Sequence, residues 1–268
     1  MKSRIEAVGS KVLPVVACLF VVGMTACSPD LLERKEVSSS YESAKSALLK
    51  EAYIDVDVIW LVNEISRIDP DENLRNLAVE RKSRLVGHPY LSLIDRNAPR
   101  IPLPASPGKG MDRFFVYMMA PFGEPKNRAI AYIEDYLSAE ASGYILTHQF
   151  LSLVWAEQVG LSLPQALLNR KDDLLNQIYQ EQLASGENET SMDLYAERVA
   201  LLLRYSKPPE NEAERWVYKL IEAQLPGGAW PGSNPVLFYD GQYGSSVPAP
   251  AHTIVLSMLA LQSYMQRY

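Results

Sequence analysis

Cysteine is almost missing from this 268-residue chain: there are two, Cys18 and Cys27, and both lie near the N-terminus. From Ser28 onward the body holds no thiol, which excludes disulfides, cysteine-ligated zinc and a cysteine nucleophile there. Histidine is scarce as well. His88, His148 and His252 are the whole complement, and no two are three or four residues apart, so a zinc motif of the H-E-x-x-H kind is absent and no metal is expected. There is no G-x-S-x-G, P-loop, dinucleotide fingerprint or EF-hand, and no cofactor is expected. Positive charge is never clustered, and the net charge is −6, so neither nucleic acid nor an anionic lipid surface is an expected electrostatic partner. No apolar run reaches the roughly 20 residues that a membrane-spanning helix needs.

What the chain does have begins at its N-terminus. Lys2, Arg4 and Lys11 precede a 13-residue apolar stretch, Val12 to Met24, which then meets Met24-Thr25-Ala26-Cys27-Ser28. This order reads as a secretory signal. Its end resembles the bacterial lipobox, with Met24 where the family usually has Leu. The resemblance implies cleavage before Cys27, lipidation of that cysteine with acyl chains such as palmitate, and membrane attachment through the anchor. Ser28, where a retention signal would have Asp, implies transfer to an outer membrane, facing the periplasm or the cell surface. The alternative is an ordinary cleaved signal with an incidental cysteine. Cleavage would leave 242 residues and move the net charge to −8, since three positive charges and one negative charge are lost.

After residues 1–26 as signal, 27–40 read as a polar tether ending in three serines. Residues 41–124 read as N-terminal helices followed by a Pro-rich connection. Helical spacing runs from Tyr41 to about Arg67, although 54–58 also alternate like a strand, and Asp69-Pro70 opens a charged helix to about Leu85. Between Val86 and Pro125 stand seven prolines and four glycines, punctuation that excludes one regular element and suggests a domain joint or lid. Within it, only 111–120 is apolar enough for a buried helix or strand. From 125 to 268 helices are expected at about 126–138, 144–159, 164–184, 190–205, 211–224 and 250–267, with Thr190 and Asp193 as an N-terminal cap. The expected fold class is all-α: an array of αα-hairpins forming a partial or closed toroid. Residues 144–157 and 251–264 have no polar face, as inner helices of such an array would.

Gln224-Leu-Pro-Gly-Gly-Ala-Trp230 fits the pattern Q-x-x-x-G-x-W, and an apolar helix opens further on at His252-Thr253. This stretch resembles the repeat of squalene and hopene cyclases and their relatives. The likeness covers about 210–268 and implies an α/α-toroid architecture, shared with prenyltransferases and several polysaccharide lyases. The cyclase acid motif D-x-D-D is missing, and Asp172-Asp173 stands alone on an expected exposed face. A prenyltransferase zinc site would need a cysteine that the body lacks. Terpene chemistry is therefore not implied.

His148 and His252 occupy similar places at the starts of apolar helices, where a buried imidazole can serve as acid or base or simply bond a backbone carbonyl. The loop 226–250 holds Trp230, Phe238, Tyr239, Asp240 and Tyr243, aromatics and an acid suited to stacking on a sugar or gripping a peptide. Glu197-Arg198 reads as a solvated helix face. The expectation is a lipid-anchored envelope protein binding a peptide, glycan or protein partner on a helical-repeat concave surface. The alternative is an envelope polysaccharide lyase or hydrolase using His148, His252 and Tyr243, with Asp240 or Glu197 assisting.

Overall fold

A computed structural model describes residues 32–51, 56–87, 91–95, 97–99, 121, 124–231 and 250–268. Phe238, Tyr239, Asp240, Tyr243, His88, Cys27 and the apolar stretch 111–120 lie outside them. The described residues are all-helical, with no strand among them. The main helices are α1 (Arg34–Leu48), α2 (Val56–Ser66), α3 (Glu72–Lys82), α4 (Lys126–Leu137), α5 (Gly143–Gln158), α6 (Gln165–Ser185), α7 (Met192–Tyr205), α8 (Glu210–Glu222) and α9 (Pro250–Arg267). No described helix is long and apolar enough to cross a membrane.

From α4 onward the helices coincide with the expected spans to within two residues, because the apolar period and the Gly/Pro punctuation agree there. The N-terminal part differs. Residues 34–40, read as tether, are the first half of α1, where Val37 and Ser40 are buried. The serine run was a poor guide because Val37, Tyr41, Ala44 and Leu48 supply a helical stripe around it. Helix α3 is capped not at its Pro but by Asp71, whose carboxylate accepts from the backbone N–H groups of Asn73 and Leu74. The phenol of Tyr41 donates to Asp69 Oδ2 at 2.7 Å, and Lys45 lies 3.1 Å from Asp71, so α1 is fixed to the entry of α3.

Helices α5, α7 and α9 carry most of the core. Leu146 to Ala156 in α5 are buried except His148, Asp193 to Leu203 in α7 are buried throughout, and Ala251 to Tyr264 in α9 are buried except His252. Burial of each Leu or Val there stabilises the fold by about 1.5–3 kcal/mol. Helix α9 packs on α7, α1 and α2, and α7 packs also on α5 and α6. The indoles of Trp60 in α2 and Trp155 in α5 meet edge-to-face at 5.2 Å, joining the first helices to the middle of the chain. The helices from Arg34 to Ser66 thus share one apolar core with those after Lys126.

The Q-x-x-x-G-x-W stretch is the clamp between α8 and α1. Gln224 Nε2 donates to the carbonyls of Ser40 and Gly228, both at 3.0 Å, while Gln224 Oε1 accepts from the Ser40 hydroxyl at 2.8 Å. Gly228 has φ +86°, and a Cβ on it would run into the Ser43 carbonyl of α1. Trp230 donates from Nε1 to the Leu220 carbonyl at 2.7 Å and is 2 % exposed.

Candidate functional site

The sequence of α7, MDLYAERVALLLRY, is apolar nearly all round, yet it buries Asp193, Glu197 and Arg198. Glu197-Arg198 is therefore not a solvated face. Arg198 turns outward to α6 and the turn after it, at 2.9 Å from Glu181 and 3.1 Å from Glu189, which compensates its charge. Asp193 and Glu197, one turn apart, face α5 and α9 instead. The helix is capped by Ser191, whose hydroxyl accepts from the Leu194 N–H; Thr190 and Asp193 do not form the expected cap, because Asp193 is engaged elsewhere.

Among the described residues, Asp193 meets His252, Thr253 and Tyr144. His252 Nδ1 lies 2.9 Å from Oδ1, Thr253 donates to Oδ1 at 2.6 Å, and the Tyr144 phenol donates to Oδ2 at 3.0 Å. Burial alone would raise the Asp193 pKa, but His252 and these hydrogen bonds outweigh it and hold the carboxyl below its ordinary value. An ionised carboxylate only accepts, so Nδ1 of His252 carries the proton and Nε2 is its basic nitrogen. His148 is set in the same tautomer by a different group. Its Nδ1 is 2.6 Å from the Tyr144 carbonyl, an acceptor only, and 3.5 Å from Glu197 Oε1. Tyr144 thus steadies one imidazole through its backbone and the other through Asp193. Its own pKa is raised, first by burial and then by the Asp193 charge.

Glu197 has the opposite character to Asp193. It is 2 % exposed, and Oε2 has no hydrogen-bond partner. Burial raises its pKa, against the lowering effect of His148 and His252. The two carboxyls of α7 are therefore pushed in opposite directions by their surroundings, the pattern by which proteins keep an acid and a base side by side.

Both imidazoles and Glu197 line one small cleft, of about 40 Å³. Each of α5, α7 and α9 contributes a polar group near its start and an apolar or basic one two turns later: His148 and Trp155, Glu197 and Arg204, His252 and Leu259. The spacing of seven residues is about 10 Å of helix in each case. Helix α2 completes the wall with Trp60, Leu61 and Glu64. Glu64 is 6 % exposed and lies 2.6 Å from Arg67; burial raises its pKa, and Arg67 and Arg204 oppose the rise. Among the described residues no group of three His, Cys, Asp or Glu has the geometry of a metal site.

His148 and His252, expected from the sequence, share this cleft. Trp230, expected to bind, is instead a core residue, since its ring is buried and its N–H is used by the Leu220 carbonyl. Sequence reasoning missed Asp193, Glu64, Trp60, Trp155 and Arg204. The signal available for Asp193 was a pair of acids at i and i+4 in a helix without a polar face. Comparison with protein-family models, with curated proteins and with solved structures finds no match for the chain.

Proposed function

We propose that this is a lipid-anchored protein of the bacterial cell envelope that binds a small ligand, or a side group of an envelope peptide or glycan, in the cleft between its inner helices. The anchor is Cys27, in an outer membrane facing the periplasm or the cell surface. The architecture is an α/α toroid in which α2, α5, α7 and α9 form the inner ring and α1, α4, α6 and α8 the outer one. Support for the toroid comes from the order of packing, α5 on α7, α7 on α9 and α9 on α2, with Trp60 against Trp155 returning to α5. The observation that carries the binding reading is Glu197: a carboxyl oxygen buried without a partner on the wall of a cleft that also holds two oriented imidazoles.

The test is organic extraction of protein purified from envelope membranes, followed by mass spectrometry, beside Ala200→Leu, which fills the cleft wall. A compound carried by the wild type and absent from a folded Ala200→Leu supports the reading. Equal content in the two proteins, or no compound in either, refutes it.

The Asp193–His252 pair favours a second reading, acid–base chemistry on an envelope polysaccharide by a lyase or hydrolase. His252 would act as base and Glu197, whose pKa burial raises, as acid. Release of new reducing ends or unsaturated sugars from wall polysaccharide by the wild type, and not by His252→Ala, would establish it. No release by the wild type excludes it.

A further inference from the structure

We propose that the ligand of this cleft carries a primary ammonium group on an apolar stem, and that the ammonium pairs with Glu197. The inference rests on the binding reading above and names the chemistry of what is bound. Glu197 Oε2 is buried without a hydrogen-bond partner, whereas Asp193, one turn earlier, meets Tyr144, His252 and Thr253. A buried carboxylate is costly unless a positive charge meets it, and a neutral hydroxyl would supply a hydrogen bond but not the charge. An ammonium supplies both.

The rest of the lining agrees. Among the described residues its acids are Glu64 and Glu197 and its permanent cation is Arg204, which acts on Glu64 and lowers that group's pKa. Among the described residues of the wall, Glu197 therefore has no permanent counter-charge. The wall also holds the indoles of Trp60 and Trp155 and the side chains of Leu201 and Leu256. These apolar groups exclude water from a hydrocarbon stem. The net charge of −6 also favours the approach of cationic rather than anionic solutes.

The experiment is titration of the full-length protein, in detergent, with hexylamine, hexan-1-ol and hexanoate at pH 7.5, read by tryptophan fluorescence and by calorimetry. The amine is expected to bind at least ten-fold more tightly than the alcohol, and hexanoate to bind most weakly. Glu197→Gln, which keeps size and hydrogen bonding but not charge, is expected to lose ten-fold or more in amine affinity and little in alcohol affinity. Should that variant fail to fold, the wild-type ranking alone decides. Alcohol or hexanoate binding as tightly as the amine overturns the assignment and leaves the binding reading standing. Silence from all three probes overturns the assignment; a compound recovered by extraction would then uphold the binding reading, and its absence would remove that too.

Discussion

Replacing Gly228 by Ala should be among the most damaging single-methyl changes in this protein. The backbone there has φ +86°, a left-handed conformation that costs an L-residue about 1–2 kcal/mol. The added methyl would also press on the Ser43 carbonyl, and that carbonyl belongs to α1, which cannot shift alone. Moving α1 away stretches the paired hydrogen bonds between Gln224 and Ser40, each worth about 0.5–1.5 kcal/mol. The total is a loss of roughly 2–5 kcal/mol. Gly227 is the natural control, because a Cβ there meets nothing and its φ is not positive. Ala at 227 should leave stability within about 0.5 kcal/mol of wild type. Urea unfolding followed by far-ultraviolet circular dichroism measures both. Equal effects at the two positions, or a loss under about 0.5 kcal/mol at Gly228, would refute the view that this motif clamps α8 to α1.

Glu197→Gln should change stability in a pH-dependent way. The folded pKa of Glu197 is raised, so its contribution to stability is full below the unfolded value near 4.5 and declines as pH rises through the folded value. The variant should therefore gain in Tm relative to wild type between pH 5 and pH 8, and a difference that does not move with pH would contradict the assignment. Asp193→Asn should act in the reverse sense. Its carboxylate is held low, so the stability it provides is present above about 3.8 and is lost only as pH falls through the folded pKa. At pH 7 the substitution should cost on the order of 3 kcal/mol, read as a lower urea midpoint, because the Thr253, Tyr144 and His252 partners lose a charged acceptor. Cys27→Ser should abolish metabolic labelling of the protein with palmitate; label retained by the variant would argue against the anchor.

How much of this could be read from the sequence depends on which residues are considered. The helices of the second half were legible because their apolar period is uninterrupted and glycine and proline mark the ends. Residues 34–40 were not, since serine content suggested a tether while Val37 and Tyr41 belong to a buried stripe. His148 and His252 were legible as polar residues opening apolar helices. Their partners were harder: Asp193 follows a threonine and a serine, which looks like capping chemistry, and only its burial against Thr253 and His252 assigns it otherwise. Arg198 and Glu197 are adjacent in sequence and point to different sides of α7, one to Glu181 and the other to the cleft. Trp230 shows the converse difficulty, because an aromatic among glycines looks alike whether it grips a ligand or closes a core. Glu64, Trp60, Trp155 and Arg204 carry no local signal; they meet only because four helices distant in the chain share one cleft.

That shared cleft is also what can be tested most directly. The chain has three histidines, so nitrogen-15 spectra of the imidazoles contain three sets of signals, and those of His148 and His252 report on the cleft wall. Six-carbon amines, alcohols and acids added one at a time should include a probe that shifts both residues together with a single midpoint. A panel that moves neither, or moves the two with separate midpoints, would contradict a common binding site formed by α5, α7 and α9.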